Sequence, residues 1–261
     1  MTRALYAEWT KLRTVSSTGW LLAATVVVTV AVSTAVAAGV DLSACTSGTA
    51  CSVDTTRLAL YGARVGQITV AVLAVLAVTG EYSTGLVRVT LAATPRRYRA
   101  LGAKVAAVAA AATATGVAAV AVSVITAARI FAARGLTASG GYRLALTDAA
   151  TVRATIGTVG YLGLIALLSM GIAAVVRDGA AAIGVVMTLL FAFPMATLLI
   201  SDPTWQRRLN QWSPMDAGLN IQATINLAHL PLQPLTGLGV LAVWAAGAVT
   251  VGGLAFRYRD A

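Results

Sequence analysis

The chain has 261 residues, of which 58 % are hydrophobic and only 11 % charged. A water-facing domain carries about 25 % charged residues, so this composition excludes a soluble globule, a disordered chain and a disulfide scaffold, and leaves an integral membrane protein. The formal charge of +10 lies between apolar runs, where basic residues set topology and meet lipid headgroups, so membrane lipids and no nucleic acid are the expected partners.

Residues 1–18 form the first segment. Leu5, Trp9, Leu12 and Val15 recur at helical spacing, with Arg3, Glu8, Lys11 and Arg13 on the other faces. This spacing predicts an amphipathic helix lying in the membrane interface, with Trp9 at headgroup depth and Lys11 and Arg13 toward water. A plain charged tail before the first span is the alternative.

A helix crossing the hydrocarbon core needs about 20 apolar residues. Six runs qualify, over 19–40, 58–79, 103–127, 152–176, 179–200 and 235–256, and make one transmembrane domain over 19–256 followed by a short tail at 257–261. The third run, mostly Ala and Val, is only weakly apolar and is expected inside the bundle. Residues 20–34 followed by Ala35-Val36-Ala37 also match a secretory signal with an A-x-A cleavage site. That run is long for such a signal and its removal would leave five spans, so retention is expected.

With the N-terminus inside, the inner segments and helix ends carry eleven basic residues against eight outside. The densest cluster, Arg96 to Lys104, falls in one short loop, and short loops dominate the positive-inside rule. Both termini are therefore expected in the cytoplasm of a multi-pass cell-membrane protein. Cys45 and Cys51 fall in the first outer loop, where a disulfide or two free thiols are both compatible with their spacing.

In the second run, Arg64 lies near the outer end and is expected to snorkel to the headgroups. Gln67, one turn deeper, and Ser123 in the third run are candidates for lining a pathway; an interhelical hydrogen bond is the alternative for either. The loop over 80–102 reads Gly80-Glu81-Tyr82-Ser83-Thr84-Gly85-Leu86-Val87-Arg88 and continues to Thr94-Pro95-Arg96-Arg97. A short helix from Glu81 to about Leu91 is expected, broken at Pro95 and anchored by the arginines beyond. Gly157, Gly160, Gly163 and Gly171 in the fourth run signal close helix packing. Pro194 predicts a bend in the fifth. The stretch over 219–227 reads as a short outer helix at the membrane surface. His229 stands alone, so no metal site is expected.

The loop GEYSTGLVRVTLAATPRR resembles the cytoplasmic loop of ABC-2 type permeases. Three more pieces match in order: Glu8 to Thr14 (EWTKLRT), Gly171 to Arg177 with Ala181-Ala182-Ile183, and Pro214 to Gly218 (PMDAG). The resemblance implies an interfacial helix, six spans and a helix after the second span that couples to an ATP-binding subunit. By position it makes Glu81, Tyr82, Gly85 and Arg88 the coupling residues. It further implies an exporter working as a homo- or heterodimer of permeases.

The chemistry of the chain agrees with an engine carried elsewhere. A P-loop needs a Gly-Lys pair to hold phosphates, and the two lysines follow Thr10 and Ala103. Without a Walker A motif the chain is not expected to be an enzyme or to hold a cofactor, ATP and magnesium falling to the partner subunit. No intramembrane carboxylate pair, HExxH or GxSxG offers other catalysis. A membrane anchor or sensor that docks a cytoplasmic partner through the same loop is the alternative function.

Overall fold

The computed structural model describes residues 2–40, 53–83, 97–135 and 148–259, and all its regular structure there is helical. In chain order the helices are α1 (Thr2–Thr14), α2 (Ser16–Gly39), α3 (Thr55–Ala59), α4 (Ala63–Ser83), α5 (Arg97–Ala133), α6 (Ala149–Val176), α7 (Gly179–Leu199), α8 (Pro203–Trp212), α9 (Pro214–Leu219) and α10 (Pro234–Arg259). Six stretches are long and apolar enough to cross a membrane: Ser16–Gly39, Thr55–Gly80, Gly102–Ala133, Ala149–Val176, Gly179–Leu199 and Pro234–Ala255. The chain is thus an all-α polytopic membrane protein. With six crossings, α1 and the end of α10 share one face of the bundle, and α3, α8 and α9 lie on the far face.

Aspartates mark where helices leave the hydrocarbon. Asp54 accepts from the Arg57 N–H at 2.9 Å, Asp178 from the Ala181 N–H at 2.8 Å and Asp202 from the Thr204 N–H at 2.7 Å. Each satisfies a backbone donor that has no partner in its first helical turn, and each places negative charge at the positive end of a helix dipole. α6 ends differently, on Arg177 in the left-handed region with φ 65°. A non-glycine residue held there carries a conformational cost, and the Arg177 side chain offsets it with contacts described below.

Helices α4 and α6 form the centre, with more than half of their spanning residues buried, whereas α7 and α10 bury fewer than a fifth. α5 falls between, with under half of its spanning residues buried, and its mean hydropathy of 2.1 is not low beside the 1.7 of the second span and the 1.9 of the sixth. Its small side chains instead pack one side on α2 and α6 and leave Val117, Val122 and Ile125 exposed. Glycine brings α6 and α10 into backbone contact: a Cβ at Gly171 would lie 2.3 Å from the Ala248 carbonyl carbon. Gly157 likewise makes room for Ile221, while Gly160 has open space beside it and serves no such approach. α7 runs through Pro194 as one continuous helix.

α2 is arranged the opposite way to a helix of a soluble protein. Its buried positions are Thr18, Thr25, Thr29, Ser33 and Ala37, and Trp20 and Val27 point outward. Lipid tails are as apolar as leucine, so inward faces are selected for closeness rather than hydrophobicity. A Cβ at Gly62 would lie 1.9 Å from the Thr29 carbonyl oxygen, the Ser33 Oγ accepts from the Gly62 N–H at 3.0 Å, and the Thr25 and Thr69 hydroxyls meet at 2.8 Å.

The stretch after α8 departs from expectation. Of the surface helix expected over 219–227, residues 219–223 are instead buried, as are 214, 215, 217 and 218 before them, against the far ends of α4, α6 and α10, while 224–227 are half-buried or exposed. Gly218 and Gly237 permit this, since a Cβ at either would collide, with Tyr161 in the first case and with the Ala217 carbonyl oxygen in the second. The amphiphilic composition that suggests a surface helix is used to face polar groups inside the rim of the bundle.

Candidate functional site

On the α1 face the inward residue of the amphipathic helix is Glu8. Leu5, Trp9 and Val15 of the apolar stripe stay exposed on the side left for lipid, Arg13 is exposed, and only Leu12 of the stripe packs on the core. Glu8 receives both lysines of the chain: Lys104 of α5 at 2.7 Å on Oε2 and Lys11 at 2.9 Å on Oε1. The Glu8 and Lys104 side chains are each 11 % exposed, that of Lys11 42 %. Lys104 also donates to the Ala77 carbonyl of α4 at 3.4 Å. One buried carboxylate therefore ties α1 to the start of α5 and, through Lys104, to the last turns of α4.

These two helices are the stalks of the segment over 84–96. Tyr82, half-buried near the end of α4, lies under the Arg177 guanidinium, whose carbon is 5.4 Å from the ring centroid. Arg177 also donates to the Ala255 carbonyl near the end of α10 at 3.2 Å. A cation over an aromatic face and at a helix C-terminus is favoured on both counts. A crevice of about 420 Å³ opens beside the junction, with Glu8, Lys11 and Lys104 at its polar end and Leu21, Leu73 and Leu76 along its apolar walls.

Of the residues singled out in the sequence, Trp9, Lys11, Arg13, Glu81 and Tyr82 thus gather on this face, Glu81 within the closing turn of α4. Gly85 and Arg88 lie outside the described residues, as do Cys45 and Cys51 and most of the helix expected over 81–91. The roles of Glu8 and Lys104 were not read from the sequence, being 96 positions apart. A usable signal existed: where arginine fills almost every one of 19 basic positions, the two lysines are exceptions, and both end on one acid.

The far face holds a second polar cluster. Arg64 does not snorkel; its Nη2 meets the Asp216 carboxylate at 3.4 Å and its guanidinium carbon lies 5.7 Å from the Tyr61 ring centroid. Gln67 is fully buried and takes the interhelical role: its amide nitrogen donates to the Arg64 carbonyl at 2.8 Å and to Met215 Sδ at 2.9 Å, and its oxygen accepts from the Tyr161 hydroxyl. In this arrangement Gln67 presents no surface to solvent or lipid. Ser123 is also buried, and its hydroxyl has no hydrogen-bond partner among the described residues. Asp54 accepts from the Thr224 N–H at 2.6 Å and hydroxyl at 2.7 Å, and Gln222 donates to the Leu60 carbonyl at 3.1 Å. Arg134 and Arg153 donate to the carbonyls of Val40 and Ala223.

Burial holds the Asp216 carboxyl above its ordinary range, outweighing Arg64, the Ser213 hydroxyl and Arg57, which favour its charged form. Among the described residues no three His, Cys, Asp or Glu side chains converge as a metal site would require. The α1 face, by contrast, offers what a mechanical junction needs: one acid binding two helices at the base of a polar segment. Comparison of the chain with protein-family models and with curated proteins finds no match to either.

Proposed function

We propose that the chain is the membrane-spanning permease subunit of an ABC-2 type exporter, working as a dimer and driven by a separate ATP-binding subunit. The six spans make it a membrane protein, and the observation that carries the finer reading is the double tie at the stalks of the segment over 84–96. Lys104 holds the end of α4 and, through Glu8, the interfacial helix α1. A push on the segment between those stalks is delivered to α1, α4 and α5 together. On the far side of the same face, Tyr82 and Arg177 extend the connection to α6 and α10.

In this reading the α1 face is cytoplasmic, and Glu81, Tyr82, Gly85 and Arg88 meet the ATPase. ATP and magnesium stay on the partner, since the chain has no Walker A lysine to hold phosphates. Closure of the ATPases moves the stalks and switches the dimer between inward and outward access.

The test is gentle purification from the native membrane and mass spectrometry of the proteins that accompany the chain. A P-loop ATPase is expected in stoichiometric amount, lost when residues 81–91 are replaced. Charge reversal at Glu81 or a bulky residue at Gly85 is expected to abolish transport while membrane insertion persists. A chain that purifies stably with no ATPase removes this reading in favour of an anchor or sensor.

A further inference from the structure

Helices α7 and α10 both pack on α6 but do not close on one another along their membrane-facing side. Between them runs an open groove of about 890 Å³, walled by Leu168, Val175, Leu189, Val243 and Val251. It extends from Val176 at the α1 end of α6 to Gln211 and Trp212 of α8 on the far face, so it covers the depth of a hydrocarbon core. Its one polar wall residue, Gln211, already donates to the Pro231 carbonyl at 3.0 Å. Nothing in the groove itself solicits a polar ligand.

Its mouth is different. The Trp244 indole N–H donates to the Trp212 carbonyl at 3.1 Å and fixes α8 over the end of the groove. α8 carries no acidic residue, and its Arg207 and Arg208 are exposed, with no ion pair among the described residues. They precede Gln211 and Trp212 by four positions, which on a helix places them directly above those groove residues. Arg208 stands 5.7 Å over the Trp205 ring centroid. Tryptophan at the headgroup boundary and an arginine pair above an apolar channel match the two halves of one amphiphile.

We propose that this groove binds an anionic phospholipid from the leaflet on the α8 side, its acyl chains lying along α6, α7 and α10 and its phosphate held by Arg207 and Arg208. Guanidinium groups suit a phosphate because their planar donors engage two of its oxygens at once. The site is independent of the transport reading, needing only that the chain span a bilayer.

The full-length chain, purified in detergent and exposed to mixtures of phosphatidylglycerol and phosphatidylcholine, is examined by native mass spectrometry. The wild type is expected to retain phosphatidylglycerol in preference to phosphatidylcholine. R207Q/R208Q loses that preference, by about fivefold for each charge removed. Gly247→Leu loses both lipids. Gly247 lines the groove, and a Cβ there meets nothing within 4 Å, so the added side chain fills the channel without forcing the helices apart.

Equal retention of the two lipids by the wild type overturns the headgroup site. Undiminished lipid on Gly247→Leu overturns the groove, and so does a drop in oligomeric state of that variant with its lipid unchanged, because the groove would then be a contact between copies. Should Gly247→Leu fail to fold, the exposed arginine pair carries the decision alone.

Discussion

The two faces of the bundle hold their charges by different mixtures of contact. On the α1 face a glutamate and two lysines, all on long flexible stems, tie α1 to α5 through an ion pair and to α4 through the Ala77 carbonyl. On the far face Asp54 is taken up by the Thr224 N–H and hydroxyl, and arginines and amides reach carbonyls, beside the Arg64–Asp216 ion pair. Backbone contacts of this kind specify one geometry. A lysine ammonium, with three donors on a four-carbon stem, keeps its partner through a displacement that would break them. The difference teaches that a lysine-centred tie leaves the α1 face more room to shift than the backbone-bonded far face has.

The sharpest way to break the comparison is to remove Lys104. Lys104→Leu leaves the buried Glu8 carboxylate without its nearer partner and is expected to cost about 3 kcal/mol or more, read as a lower unfolding temperature in detergent and faster tryptic cleavage at Lys11 and Arg13. Since a buried ion pair replaced by apolar residues of similar size is nearly neutral, Glu8→Leu/Lys104→Leu is expected to recover most of that stability. If the joint transmits force, the recovered protein still fails to transport.

On the far face, Gln67→Leu strands the Tyr161 hydroxyl in the core and is expected to cost about 1–3 kcal/mol, whereas Gln67→Leu/Tyr161→Phe regains part of it. Both are measured by the same unfolding assay. No recovery in the double variant would mean that the Met215 and Arg64 carbonyl contacts of Gln67 matter more than its bond to Tyr161.

A smaller effect separates the faces by pH. The folded state binds a proton at Asp216 more readily than the unfolded chain does. Its contribution to stability is therefore full below the ordinary carboxylate value of about 4 and declines as pH rises through the raised value. Asp216→Asn is expected to flatten this slope in unfolding midpoints taken between about pH 4 and 7. A slope unchanged in the variant would assign it to another group. The smallest change is expected for Lys11→Ala, at about 0–1 kcal/mol, because its side chain is far more exposed than that of Lys104.

The spans were legible in the sequence because a bilayer imposes one coarse demand, some twenty apolar residues in a row, and six runs meet it. Side-chain partners were not legible where the contact depends on how helices meet. Arg64 reads as a snorkelling residue until 152 positions later the chain brings Asp216 to it. Gln67 looks like a pathway residue because polar atoms in an apolar run invite that reading, yet Tyr161 and Met215 satisfy it internally. The stretch over 219–227 reads as a surface helix for a related reason. Its mixture of Asn, Gln and aliphatic residues fits an interface helix, and only Gly218 and Gly237, small enough to admit it, reveal that it folds inward. Glu8 escaped notice because the apolar stripe of α1 draws attention to the face that looks at lipid.

The hydroxyl stripe of α2 bears on how such a protein is made. The Thr25 hydroxyl donates to the Leu21 carbonyl one turn earlier at 2.8 Å, so part of its hydrogen bonding is met within α2 itself. A helix with this property can enter the bilayer as a self-sufficient rod, before its neighbours have been synthesised. When Gly62 and Gly66 later arrive against it, the Thr25 hydroxyl is already bonded, whereas the buried Thr29 hydroxyl has no hydrogen-bond partner among the described residues. The tight contact between the first two spans therefore forms with its desolvation cost concentrated at Thr29.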